Sequence, residues 1–126
     1  MARFISVIRK DISNSSGSPT AIITGSTNSS GVPASTYGVV LSILASNKNA
    51  NSQNITVQLI KAGGTGSAVT ASLITSGVVP SQSSLEFMTG NKMIVEPGDW
   101  LKTYASTASA IDITVSYMLN PQDTSI

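Results

Sequence analysis

The chain has no cysteine and no histidine among its 126 residues. Without cysteine there is no disulfide framework and no thiolate to act as nucleophile or metal ligand, and the redox compartment is left open. Without histidine the commonest general base and metal ligand is missing. Charge is scarce as well: Asp, Glu, Lys and Arg make up 10% of the residues, against roughly 25% in ordinary globular proteins. The seven basic and six acidic residues leave a net charge of +1. Apart from Arg9-Lys10, with Arg3 nearby, the basic residues stand singly, which argues against nucleic acid as a partner. No apolar run approaches the length of a membrane helix, so no membrane association is expected. The first apolar residues, Phe4, Ile5, Val7 and Ile8, run into Arg9, Lys10 and Asp11, so no signal-peptide core forms. A soluble protein made in the cytoplasm is the expectation.

What is present is a β pattern. Hydrophobic residues are 40% of the chain, many of them β-branched and regularly placed among Ser, Thr, Asn and Gly. That spacing argues against disorder. It describes a surface of hydroxyls and amides, of the kind carried by proteins packed against other proteins and also by some secreted β domains. At this length one domain is expected, burying about two thirds of its unfolded surface.

The clearest segment is Ser83 to Leu119. Leu85 and Phe87 share one phase of the two-residue alternation. Leu101, Thr103 and Ala105 share another, as do Ile111, Ile113, Val115, Tyr117 and Leu119. Successive side chains of an extended strand point to opposite faces, so each set marks a buried side. Thr89-Gly90-Asn91 and Glu96-Pro97-Gly98-Asp99 punctuate the strands as turns, with Pro97 pre-setting φ and Gly98 accepting a left-handed conformation. A β-meander is the expectation for this third of the chain.

Upstream, Met1–Ile12 is amphipathic and reads as a first strand or an extended arm, followed by the turn formers Ser13 to Pro19. Thr20–Thr24 is a second short strand, and Gly25–Thr36 a low-complexity connection, either a loop or part of an N-terminal extension. Tyr37–Ala45 is almost continuously apolar, as in a strand covered on both faces. Asn47–Ser52 is a polar loop. Asn54–Lys61 alternates with Ile55, Val57 and Leu59 inward, and Ser67–Thr75 with Val69, Ala71 and Leu73 on one face. About eight short strands, turn punctuation and no convincing helix describe an all-β, antiparallel, jelly-roll-like β-sandwich. The organisation expected is a strand or arm with its loop over 1–36, a sandwich core over 37–120 and a tail over 121–126.

Sites of chemistry are not evident. Gly63-Gly64-Thr65-Gly66 lacks the Lys-Ser/Thr and the helix of a phosphate loop and reads as a hairpin turn. Glu86, Glu96, Asp99 and Asp112 do not form the facing pair of a glycosidase, and aromatics at 5% offer thin sugar walls. The Glu96–Asp99 turn lacks the dense oxygen spacing of a calcium loop. No catalytic residue, metal ligand or cofactor is assigned, and no enzyme is expected. Interface candidates are clearer. Trp100, Lys102 and Tyr104 fall on the phase opposite Leu101, Thr103 and Ala105. There they are either outward anchors for a partner or core beneath the N-terminal segment or the other sheet. Arg3, Phe4, Arg9 and Lys10 form the second group, on an arm reaching a neighbouring subunit or on the first strand of a sheet.

Several stretches occur in an order that resembles small virion proteins of tailed bacteriophages, especially phages of marine bacteria and cyanobacteria. They are Val40–Asn47, Asn54-Ile55-Thr56-Val57, Val79-Pro80 with Ser83-Ser84-Leu85-Glu86, Gly90–Asp99, Ala105-Ser106 and Ile113–Tyr117. The likeness spans Tyr37 to Leu119. Trp100 stands where that pattern carries a small aliphatic residue, and the first 36 residues do not match it. The resemblance implies a structural role on a virus particle, foremost a capsid decoration (cement) protein bound to the major capsid protein or another virion protein. A homo-oligomer is implied too, a trimer at a three-fold position being the form expected. A neck, tail or baseplate accessory and a carbohydrate-binding β-sandwich for host adsorption are the alternatives.

Overall fold

The computed structural model describes residues 3–24, 31–61, 69–87 and 92–121. They form nine strands: β1 (Arg3–Arg9), β2 (Thr20–Ile23), β3 (Thr36–Asn47), β4 (Gln53–Lys61), β5 (Val69–Val79), β6 (Ser84–Glu86), β7 (Met93–Val95), β8 (Trp100–Ala105) and β9 (Ile111–Pro121). No helix occurs among the described residues. All strand pairs are antiparallel. One sheet runs β1-β9-β3, with β6 and β7 sharing the far side of β3; the other runs β2-β8-β4-β5.

Apart from the β4–β5 and β6–β7 steps, every connection passes from one sheet to the other. That interleaving of two Greek keys is a jelly roll, with β6 and β7 together filling one strand position. The jelly-roll expectation holds. The β-meander does not: β7, β8 and β9 lie in alternate sheets, and β8 pairs with β2 and β4, not with its sequence neighbours. Alternation specifies which face of a strand is buried. It is silent on which strand lies alongside.

The core fills the space between the sheets. Val40, Ile43, Ala45, Ile111, Ile113, Val115 and Tyr117 come from one sheet; Ile22, Ile55, Val57, Leu101 and Ala105 from the other; Ile12, Val32, Val79 and Val95 join the same cluster. Thr103 is the one core hydroxyl of β8, and its Oγ1 donates to the backbone oxygen of Thr56 at 2.9 Å. A buried polar atom so paired does not carry the desolvation cost of an orphan.

Two strands differ from the simple alternation. In β3 the register slips between Val40 and Ser42, and the outer face is not covered as its apolar run suggests, for Leu44 is exposed. In β5 two irregularities fall opposite Ile55–Gln58, so Ile74 pairs with Val57, Ala71 is exposed, and the strand runs on to Val79. A β-bulge adds a residue to one strand and resets its phase. The Glu96–Asp99 turn forms as expected: Asp99 N–H donates to Glu96 O at 3.0 Å and Gly98 takes φ 92°. The turns expected at Gly63–Gly66 and Thr89–Asn91 lie outside the described residues, although β4 and β5 on either side of the first do pair as neighbours.

Candidate interaction surfaces

Trp100, Lys102 and Tyr104 stand on the outer face of β8, half-buried, while Leu101, Thr103 and Ala105 point inward. Because β8 lies between β2 and β4, the three occupy the middle of the four-stranded sheet's outer face, not its core. Their cross-strand neighbours on β4 are Ile60, Gln58 and Thr56. Lys102 Nζ sits 4.5 Å from the centre of the Trp100 ring, within the range at which a cation is attracted to an aromatic face.

An ionic corner holds the start of this strand. Asp99, only 1% exposed, accepts from Lys61 Nζ at 2.5 Å and from Glu96 N–H at 2.9 Å, and Lys61 also meets Glu96 at 2.9 Å. Burial pulls the Lys61 ammonium down, but Asp99 and Glu96 outweigh it and hold its pKa above the ordinary 10.5. Asp99 precedes Trp100 and Lys61 follows Ile60, so the corner clamps the two strands on which the Trp100–Ile60 pair rides.

At the other end of β8, Tyr104 walls an open cleft of about 230 Å³ with Asn14, Ser16, Asn54, Thr56 and Ser76. Thr56 Oγ1 is taken by the Ser76 N–H at 3.1 Å. The lining is uncharged and rich in hydroxyls and amides.

The other sequence candidates lie on β1, in the five-stranded sheet, with Lys10 directly after it, and do not meet the first group. β1 pairs with β9 along its whole length, from Arg3↔Leu119 to Arg9↔Ile113. Arg9 Nε donates to Ala21 O at 3.1 Å and Nη1 to Ile8 O at 3.3 Å, tying the strand to β2 of the facing sheet. Arg3 and Lys10 are exposed. Arg3 lines a shallow cleft of about 240 Å³ with Pro33, Thr36, Leu119, Asn120 and Pro121. Phe4 is 73% exposed on the outer face.

Residues not singled out from the sequence share that face. Ile8 and Ile94 are exposed there, and Leu44 partly so. The signal was present: Phe4-Ile5-Ser6-Val7-Ile8 and Met93-Ile94-Val95 are apolar in both phases of the alternation. Among the described residues no group of three or more His, Cys, Asp or Glu side chains is placed to hold a metal ion.

No family model matches the chain, and no curated protein matches it in sequence. Solved structures do match in fold. A chain of the disulfide-linked pili described as Bacillus endospore appendages aligns with 98% of this chain and 88% of its own length, at 13% identity and a TM-score of 0.50. A chain of infectious bursal disease virus, Gx strain, aligns with 100% of this chain at 8% identity and a TM-score of 0.53. This chain spans 34% of that viral chain. At such identities the likeness is one of fold.

Proposed function

We propose that the protein is a structural component of a virus particle, a capsid decoration protein of the tailed-phage type that binds the outer shell and stabilises it. The observation that carries this reading is the pairing of a jelly roll with an outward Trp100–Lys102–Tyr104 face on a surface of very low charge. Aromatic anchors clamped by a rigid sheet lose little conformational entropy on docking, which is what interface centres require. Both fold neighbours come from assemblies, a pilus and a virus. The pilus is disulfide-linked, whereas this chain has no cysteine, so any assembly of it is free of disulfides.

Cementing follows from mass action. A domain that binds only the assembled shell shifts the equilibrium toward that shell. Many modest contacts suffice, because symmetry repeats one interface over the particle. The role is non-enzymatic and the particle-bound form a homo-oligomer. The partner is the major capsid protein or another virion protein, and the place of action the capsid surface after synthesis in the host cytoplasm. Co-sedimentation with shells lacking the protein, before and after expansion, is the test. Saturable binding to expanded shells with a raised shell melting temperature is expected, and Trp100→Ala weakens it at least about tenfold. Absence from shells and recovery in tail fractions moves the role to a neck, tail or baseplate accessory.

The Tyr104 cleft favours a second reading, a carbohydrate-binding sandwich for host adsorption. Its uncharged amides and hydroxyls beside one aromatic ring suit a neutral sugar. A glycan-array signal abolished by Tyr104→Ala or Trp100→Ala supports it, and a blank array removes it.

A further inference from the structure

The outer face of the five-stranded sheet is apolar in rows that follow the strand register. Phe4, Met118, Val39 and Ile94 lie directly across from one another on β1, β9, β3 and β7. Two residues along, Ser6, Ser116 and Ser42 make a hydroxyl row. Beyond it Ile8, Thr114, Leu44 and Glu86 make a third. Phe4 is 73%, Ile8 60% and Ile94 48% exposed. Within the three rows Glu86, at the rim, is the one ionisable residue. The strands carry the composition of a sheet buried on both sides, yet on this side the folded chain buries Val39 and leaves Phe4, Ile8 and Ile94 exposed. Large apolar side chains gathered on one exposed face mark a contact surface.

We infer that this face receives a second copy of the same chain, sheet against sheet about a two-fold axis. The face is its own complement. An axis lying along the strands at its centre carries β1 onto the β6–β7 position and β9 onto β3. That sets Phe4 of one copy over Ile94 of the other, Met118 over Val39, and hydroxyl row over hydroxyl row. It also keeps the two Glu86 carboxylates apart. An unlike partner is commonly guided and selected by complementary charge, and these rows offer none. Facing sheets pack about 10 Å apart through such interdigitated rows.

The size of the face sets the strength. Four strand positions, each about seven residues long, span roughly 400 Å² per copy. A pair therefore covers less than the roughly 1,200 Å² of a standard interface, and the dimer is weak and concentration-dependent. This pairing specifies the surface behind the self-association in the proposed reading, but its argument stands on the face alone.

Sedimentation equilibrium of the full chain, from micromolar to near-millimolar concentration, tests it. A monomer–dimer equilibrium is expected, weakened at least about tenfold by Phe4→Ser and by Ile94→Ser and unchanged by Trp100→Ala. Far-UV circular dichroism and melting of both variants match the parent, because the replaced side chains are exposed. A monomer at the highest concentration, a trimer, or a dimer indifferent to both substitutions overturns the inference. Shell co-sedimentation separates it from the proposed function. A dimer that binds no shell sinks the decoration role alone, and a strict monomer that binds shells sinks the dimer alone.

Discussion

Three polar residues are buried or half-buried for structural reasons. Asn47, which the sequence placed in a polar loop, closes β3 from a buried position. Its Nδ2 lies within bonding distance of Asn51, Val79 and Pro80 carbonyls, and its Oδ1 accepts from Asn49 N–H. Asp99 is enclosed with Lys61 as its counter-charge. Replacing Lys61 with Met leaves that carboxylate buried without its ammonium, and a loss of about 1–3 kcal/mol is expected in urea unfolding. Asp112 sits beside Lys48, which also bridges to Asp11. Burial raises the Asp112 pKa, but the Asp11 N–H and the Lys48 ammonium overcome it and hold the group below the usual 3.8. A carboxylate depressed in the folded state contributes stability above its unfolded value and loses it as pH falls through the folded one. The parent protein should therefore lose more stability than Asp112→Asn between about pH 5 and pH 2, read from urea midpoints at each pH. The contacts of Asn47 with Val79 and Pro80, of Asp99 with Lys61 and of Asp112 with Lys48 are invisible at sequence level, because each joins residues dozens of positions apart.

At the scale of the element, β9 is the central fact. It pairs with β1 on one side and β3 on the other, and its inward residues from Ile111 to Leu119 are all buried. Ile113→Ala should cost about 2–5 kcal/mol by denaturant titration, through lost burial and the cavity left behind. Thr114→Ala, on the outer side, should change little. Equal effects from the two would contradict the assigned phase. This phase was legible from five apolar residues at a spacing of two, and so was that of β8. The phase of β5 was not, because its bulges respond to the strand opposite. There Gly77 approaches Ile74 so closely that an added Cβ would lie 2.5 Å from Ile74 Cγ2. Gly77→Ala should destabilise by about 1–3 kcal/mol through overpacking, again read by denaturant midpoint.

Across the whole molecule, the strand nearest the N-terminus closes onto one near the other end of the chain, with Arg3 opposite Leu119. Removing residues 1–9 would open the β9 edge and strip away Ile5 and Val7, which pack against the core. The truncated protein should aggregate at concentrations where the parent stays dispersed, since an unpaired central strand is a template for further pairing. Light scattering during refolding would show this, and a stable monomeric truncation would contradict it. Pairing over such sequence separations also implies folding in milliseconds to seconds.

The sequence by itself determined the all-β class, the buried phase of the regular strands, the Glu96–Asp99 turn and the placing of Trp100, Lys102 and Tyr104 on the phase opposite Leu101, Thr103 and Ala105. Those are local consequences of side-chain alternation and turn stereochemistry. Only the tertiary structure decided that the strands interleave as a jelly roll, where the bulges fall and how the buried ions pair. It also decided that Phe4, Ile8, Leu44 and Ile94 converge on one face. Each of these depends on which strand lies beside which. That choice is made by packing between distant segments, on which a period of two carries no information.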